Sequence, residues 1–267
     1  MERIINCLPN LESYSKTITE NLIKILKTEG FTPYEGFNEN AELNISIGGD
    51  GAFLHAVRTS RFSQIPFIGI NTGTLGFFPE ITPDNIENFV HQYKDARYQI
   101  NEINIIECIV HGKNSVFTTY AVNDVAIKRH DMKTAHLNMY FNDNFLQTIS
   151  GDGVVISSPL GSSAYNYSAG GALVYPSLKT LQIMPLAPLI SSAYRCLSSS
   201  LIVPPEFEVK IIPEGGIEDY ELTLVVDGIC YEFEHINSIV FFTSGRTIKQ
   251  LTIGEFNYWN VIKDKLL

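Results

Sequence analysis

The residues most suited to chemistry in this chain are Gly48-Gly49-Asp50-Gly51, set between the apolar run Leu43–Ile47 and the helix-compatible run Ala52–Val57. A glycine turn between a strand and a helix presents backbone N–H groups at the positive end of the helix dipole, where phosphate oxygens are held. A loop that binds anions gains nothing from a negative charge of its own, so Asp50 reads as a group that does chemistry beside a phosphate. The same four residues also fit a plain helix cap with glycines that only turn the chain. The motif by itself leaves both readings open.

Three further segments carry polar groups where structure alone does not ask for them. Asn71-Thr72-Gly73-Thr74-Leu75-Gly76-Phe77-Phe78 follows the next strand-like run, Pro66–Ile70, and in an open parallel sheet it emerges at the same edge as the Gly48–Gly51 turn. It suits a wall against a nucleobase or a plain loop equally. Asn123-Asp124 interrupts a β-rich run with residue types that strands disfavour, as a bulge or a ligand contact. The stretch Ser150–Gly171 holds six serines, two tyrosines, five glycines and Asp152 around one strand. That hydrogen-bonding capacity suits a ribose-and-amide ligand, or a hydroxyl-rich turn followed by a small-residue helix.

These groups need a scaffold, and the sequence divides into two textures. Arg3–Leu8 reads as a strand, and Leu11–Thr28 places Ile18, Leu22, Ile25 and Leu26 at helical spacing before Gly30. Leu43–Ile47 and Pro66–Ile70 read as buried parallel strands, and Thr82–Arg97 as a helix opened by Thr-Pro-Asp. This βαβ pattern implies an α/β domain over residues 1–98 with a Rossmann-like parallel sheet. From Tyr98 onward β-branched and aromatic runs dominate: Ile103–Val110, Val116–Ile127, His136–Phe141, Val154–Ser157, Phe207–Ile212, Leu222–Val226 and Ile239–Thr243. Asn142-Asp143-Asn144 and Asp227-Gly228 read as hairpin turns. An antiparallel β domain over 99–249 follows. The tail Glu255–Leu267, with Trp259, Ile262 and Leu266 at helical spacing, reads as a helix returning to the first domain, so that 250–267 joins it.

Composition bounds the partners. The chain has 267 residues, 45% hydrophobic, enough for a substantial core. A net charge of −10 without a Lys/Arg run argues against a nucleic-acid or anionic-membrane footprint. No apolar run approaches the roughly 20 residues that span a bilayer, and the short run before Pro9 lacks a signal-peptide core. The four scattered cysteines, Cys7, Cys108, Cys196 and Cys230, read as reduced and mostly buried thiols, so a cytoplasmic protein is expected. His55, His130 and His136 lack metal-ligand spacing, and Ser162 and Ser163 lie outside any GxSxG elbow. Neither GxxxxGK[ST] nor GxGxxG occurs, so a phosphoryl donor is held without a Walker lysine, and NAD is not bound as a redox cofactor in the usual crevice.

Taken together, the four segments resemble the NAD kinase family, from Gly48 through Pro204-Pro205. The Gly-Gly-Asp-Gly turn alone is shared with lipid kinases and phosphofructokinases of a wider superfamily. The second-domain string Gly151-Asp152-Gly153 followed by Ser157–Gly171 is similar to the NAD kinase pattern and has no counterpart known in the lipid kinases. The resemblance implies a C-terminal β-sandwich, a homodimer or homotetramer, and phosphorylation of the adenosine 2′-hydroxyl of NAD to give NADP. It assigns Asp50 as the catalytic aspartate and Gly51 to the phosphate-contacting loop; the chemistry of transfer then makes Asp50 the base and puts the donor phosphates on the amides of Gly48, Gly49 and Gly51, with Mg²⁺ expected on the donor phosphates and no metal held by protein ligands. NAD contacts are assigned to Asp50, Gly51, Phe77, Asn123, Asp124, Asp152, Ser163, Ala164, Tyr165, Asn166 and Ser168. The chain departs from the family pattern at Asp124, where Glu is usual, and at Ala52, Ser150, Leu160 and Ser163. Two other readings remain: a lipid or small-alcohol kinase, which needs an apolar acceptor cavity, and a non-catalytic dinucleotide sensor. An assay for NADP formation from NAD and ATP separates them.

Overall fold

A computed structural model describes residues 2–73, 76–131, 133–192, 194–215, 221–254 and 258–267. The chain forms two compact units, Met1–Ile103 with Thr247–Leu267, and Asn104–Arg246.

In the first unit, β1 (Ile4–Pro9), α1 (Ser13–Thr28), β2 (Thr32–Glu35), β3 (Leu43–Ile47), α2 (Asp50–Thr59), β4 (Phe67–Ile70) and β5 (Pro79–Ile81) alternate. A short 3-10 turn at Pro83–Asn85 then leads into α3 (Ile86–Lys94). The strands pair in parallel in the order β2-β1-β3-β4, with β5 beside the end of β4. Every residue of β3 and β4 is buried, as central parallel strands are, and the two polar residues of β3 are bonded inside: Asn44 Oδ1 accepts from Asn6 Nδ2 at 2.8 Å and Ser46 Oγ donates to the Ile68 carbonyl at 3.4 Å. α1 buries Ile18, Leu22 and Leu26, and α3 buries Ile86, Phe89 and Val90, in one core with Ile5, Ile45 and Ile68. Because β2 follows β1 to one side and β3 lies on the other, the strand order reverses between β1 and β3. Loops leaving the carboxyl ends of strands at such a point part to leave a crevice.

The second unit is a two-sheet sandwich. β6 (Gln99–Gly112) leads into it, followed by β7 (Val116–Ala121), β8 (Asp124–Arg129), β9 (Ala135–Phe141), β10 (Asn144–Gly151) and β11 (Gly153–Ser157). A 3-10 turn at Leu160–Ser163 and the single-turn α4 (Tyr165–Ser168) precede β12 (Leu181–Leu186), β13 (Leu201–Val203), β14 (Val209–Pro213), β15 (Glu221–Val226) and β16 (Ile229–Glu234). β17 (Ile236–Thr252) carries the chain back to the first unit, where α5 (Tyr258–Leu266) ends it. One sheet runs β13-β12-β11-β8-β15-β16, and within the unit the other runs β10-β9-β14-β17 with β6 on β17 and β7 on β6. Their inner faces share a core that includes Ile127, Leu137, Ile156, Ile183, Leu224 and Phe241. β9, β14 and β15 bury alternate residues, as period-2 strands with one wet face do. β8 and β11 are covered on their other face too, where Ala126, Val155, Met184 and Leu186 pack with Ala169 just after α4.

Several expectations are corrected. The run Val116–Ile127 is two strands, because the backbone at Val122 and Asn123 leaves the ladder for partners described below. Helix formation begins at Ser13 rather than Leu11, and at Ile86 after the 3-10 turn rather than at Thr82. α5 buries Tyr258 and Ile262, whereas Trp259 is 64% exposed. Only Cys7 and Cys108 of the four thiols are buried, and burial pushes the Cys7 thiol up to about 12, which keeps it protonated and inert. Both hairpin turns form with paired left-handed residues, Asn142 (φ 47°) with Asp143 (φ 65°) and Asp227 (φ 45°) with Gly228 (φ 83°), the twist that two-residue hairpins need.

Candidate functional site

In the first unit the Gly48–Gly51 turn leaves the carboxyl end of β3, at the reversal point of the sheet. Gly48 has φ +152°, and a Cβ there would lie 2.4 Å from the Ala52 Cβ and 3.0 Å from Asn10 Nδ2, so only glycine fits. Gly49 caps α2, and a Cβ built at Gly49 or Gly51 meets nothing within 4 Å. The front of this loop is open, at a helix N-terminus that favours anions.

Asp50 is the first residue of α2. Its Oδ1 accepts the Phe78 N–H at 3.0 Å, and its Oδ2 lies 2.8 Å from Lys265 Nζ of α5, with side chains 30% and 17% exposed respectively. The same ammonium sits 4.3 Å from the centre of the Phe77 ring, a cation–π distance. Phe78, next to it, stacks on Phe53 of α2 with centroids 4.5 Å apart and planes 7° apart. That stack fixes the Phe78 amide, and through it one oxygen of Asp50. Asn71 closes the neighbouring loop, its Oδ1 accepting the Gly73 N–H at 3.1 Å. Thr74 and Leu75, part of the same expected wall, lie outside the described residues.

In the second unit, Asn123 and Asp124 form a tight turn held from two sides. The Asp227 carboxylate, from the β15–β16 hairpin, accepts the backbone N–H groups of Val122 (2.7 Å), Asn123 (2.8 Å) and Asp124 (3.2 Å). From the other side, Ser158 donates its N–H to the Asn123 carbonyl at 2.9 Å and its hydroxyl to the Val122 carbonyl at 2.6 Å. A Cβ at Gly161 would fall 2.0 Å from the Asn123 carbonyl oxygen, so glycine permits this approach. With its backbone so anchored, Asn123 keeps a side-chain Oδ1 that is buried without a hydrogen-bond partner. Asp124 is 7% exposed. Burial, reinforced by the Asp227 charge and partly offset by the Tyr165 N–H, pushes its carboxyl up to about 7.

The segment 150–171 is packed by two kinds of contact. Gly151 and Gly153 bracket Asp152 where backbones nearly touch: a Cβ at Gly151 would lie 2.6 Å from the Leu186 carbonyl oxygen, and one at Gly153 1.9 Å from that of Ile127. Asp152 is left exposed between them, as are Tyr165 and Ser168. Lys128 Nζ stands 5.0 Å from the Tyr165 ring centre. Several hydroxyls that the sequence offered to a ligand are spent internally. Ser162 Oγ accepts the Val174 N–H at 2.9 Å, Ser163 Oγ donates to the Leu160 carbonyl at 3.3 Å, and Ser150 Oγ pairs with His136 Nδ1 at 2.8 Å. Asn166, expected as an NAD contact, is fully buried, and its Nδ2 donates to the carbonyls of Ser162 (3.1 Å) and Ala172 (3.3 Å). It braces the segment from inside. Ala164, partly exposed, accepts the Tyr167 N–H at 3.1 Å and starts α4.

The structure therefore gathers Asp50, Phe77 and the loop glycines in one unit, and Asn123, Asp124 and Tyr165 in the other. Two participants escaped sequence reasoning. Asp227 was visible only as a hairpin residue, and Lys265 carries no motif at all.

Comparison with known proteins covers nearly the whole chain. Residues 11–98 match the family described as ATP-NAD kinase N-terminal domain, and residues 122–251 match the ATP-NAD kinase C-terminal domain. An NAD kinase of Finegoldia magna is 40% identical over 245 residues, covering 91% of this chain and 90% of the relative. An NAD kinase of Staphylococcus aureus is 28% identical over 234 residues, 86% of each. Among solved structures, yeast NADH kinase complexed with NADH superposes with a TM-score of 0.87 at 20% identity, covering 99% of this chain and 87% of the other. An NAD kinase from Archaeoglobus fulgidus in complex with ATP gives 0.76 at 21%, covering 98% and 99%. At those identities the likeness is one of fold.

Proposed function

Since the chain belongs to the NAD kinase family of phosphotransferases, we propose that it moves the terminal phosphoryl group of ATP, or of another phosphoryl donor, to the 2′-hydroxyl of the adenosine ribose of NAD, giving NADP. The observation that carries this reading is the Asp50 carboxylate. It stands at the open front of a glycine turn, oriented by the Phe78 amide, at a helix N-terminus.

A ribose hydroxyl is a weak nucleophile at neutral pH. Asp50 takes its proton as the oxygen–phosphorus bond forms, and the bond from that phosphorus to the donor's bridging oxygen breaks with its electron pair leaving on the diphosphate. The amides of Gly49 and Gly51 cradle the donor phosphates, whereas the Gly48 N–H, expected to join them, donates to the Ile70 carbonyl at 2.9 Å and holds the turn against β4 instead. Mg²⁺ enters with those phosphates as part of the substrate and offsets their charge.

The reading gives residues 1–98 and 250–267 the phosphoryl chemistry, with Asp50, Gly51 and Phe77 also meeting NAD, and residues 99–249 the remaining contacts to NAD. Phe77 lines the adenosine, and Asn123 and Asp124 hold ribose hydroxyls. Asp152 faces the nicotinamide end, with Ala164, Tyr165 and Ser168 along the dinucleotide, while Ser163, its hydroxyl committed to the Leu160 carbonyl, holds the turn that carries them. The buried, unpartnered Oδ1 of Asn123 supports such a contact, because a buried acceptor without a donor is costly until a ligand supplies one. Asn166 acts in this scheme by holding the Ser162–Ala172 loop. A homodimer or homotetramer in the cytoplasm completes the reading, and among the described residues no helix is long and apolar enough to cross a membrane.

The test is NADP formation from NAD and MgATP, followed with an NADP-specific dehydrogenase. Asp50→Asn is expected to bind NAD normally and lose about 10³-fold or more in kcat. Wild-type turnover in that variant removes Asp50 from the role of base.

A further inference from the structure

We propose that Lys265, on α5, is a catalytic residue of this enzyme: it fixes the base oxygen of Asp50 and supplies the positive charge beside the phosphoryl group in transfer. The inference rests on the reading of Asp50 as the base. The glycine turn itself carries no cation, and the chain has no lysine of the GxxxxGK[ST] kind. Phosphoryl transfer spreads negative charge over the oxygens of the moving group, and enzymes of this chemistry place a fixed cation there.

Lys265 is built for that position. Its Nζ lies 2.8 Å from Asp50 Oδ2 and 4.3 Å from the Phe77 ring centre, and its side chain is only 17% exposed. With Oδ1 held by the Phe78 N–H at 3.0 Å, the ammonium completes a two-point clamp on the carboxylate. A carboxylate oxygen has a second lone pair, so Oδ2 can keep Lys265 and still accept the ribose proton. A hydroxyl within hydrogen-bond reach of Oδ2, about 2.6–3.2 Å, brings the attacked phosphorus and its oxygens next to the ammonium. The ribose proton passes to Asp50 and then to solvent, and the new oxygen–phosphorus bond replaces the one to the leaving diphosphate.

A lysine that merely pinned α5 would affect stability, whereas this one acts in the transition state. In the NADP-formation assay, Lys265→Ala is expected to lower kcat about 10²-fold with KM for NAD changed less than about threefold. Added ethylammonium should recover about tenfold or more of the loss, and Lys265→Arg should retain roughly a tenth of wild-type kcat. Should the alanine variant fail to melt cooperatively, Lys265→Gln, similar in length and uncharged, carries the same comparison with Lys265→Arg.

An unchanged kcat overturns the proposal, and so does a loss that neither amine nor arginine restores. A lower KM for NAD with kcat kept would show a plug over Asp50 and Phe77, and overturns it too. Asp50→Asn run alongside separates the two claims. If it is inactive while Lys265→Ala is fully active, the lysine alone fails; if it turns over normally, the base itself is wrong.

Discussion

The Asp50 and Asp124 carboxylates sit in opposite circumstances. Asp50 stands on an open loop, half-buried, with one oxygen on a backbone amide and the other on an ammonium. Asp124 is shut into a sandwich, 7% exposed, beside a second carboxylate that is committed to three backbone N–H groups. The first environment holds an acid at both oxygens beside the open front of a glycine turn. The second keeps an acid near the point of neutrality and spends its neighbour on geometry. The proposed transfer reaction calls on both: a group that reacts, and a rigid surface that holds the sugar.

The sharpest way to break that contrast is to disturb the rigid side. Gly161→Val would push a branched side chain into the Asn123 carbonyl, where even a Cβ would lie at 2.0 Å. Thermal melts should show about 3 kcal/mol or more lost, or no folded protein, whereas the same change at Gly51, which faces open space, should leave the melt within about 1 kcal/mol while abolishing turnover. Equal melts for the two would end the distinction.

Next in size is Asp227→Ala. It frees three backbone N–H groups, and KM for NAD should rise about tenfold or more with a smaller change in kcat, the reverse of the split expected at Asp50. Steady-state kinetics with NAD and MgATP varied separately decide it.

The smallest effect is a pH dependence. Asp124 is held at about 7 by burial, against an unfolded value near 3.8. The folded state therefore binds the proton more tightly than the unfolded chain, and stability contributed by this group is full below the unfolded value and lost as pH rises through about 7. Urea unfolding at pH 5 and pH 8 should show wild type losing on the order of 2 kcal/mol over that span relative to Asp124→Asn. Identical pH profiles would mean that burial does not raise the Asp124 carboxyl.

What the sequence could and could not show follows from the range of the forces involved. β3, β4 and the two hairpins were legible because apolar runs and Asn-Asp or Asp-Gly turns act over a few residues. The break between β7 and β8 was not, since the group that takes the Val122 N–H lies 105 residues away. β12 was hidden by Pro185, which stands within the strand opposite Val154. In the tail, helical spacing alone did not distinguish the face carrying Tyr258 from that carrying Trp259, because burial depends on what the helix packs against.

The site shows the same limit. Gly48–Gly51 and Asp50 stood out as a contiguous motif, but the Lys265–Asp50 pair spans 215 residues and leaves no local trace. The hydroxyls of 157–163 were visible as a cluster. Their use was not: Ser158 and Ser162 serve the backbone that surrounds them, a choice fixed only by tertiary packing.

The glycines leave two different kinds of evolutionary record. Where a carbonyl crowds the α-carbon, as at Gly151, Gly153 and Gly161, replacement harms the molecule before any substrate is met. Gly49 and Gly51 have room to vary, so any constancy they show across descendants of this gene would be imposed from outside the polypeptide, by the shape of whatever docks against them. A drifting population that kept its abundance but lost its catalysis would reveal itself first at those two codons.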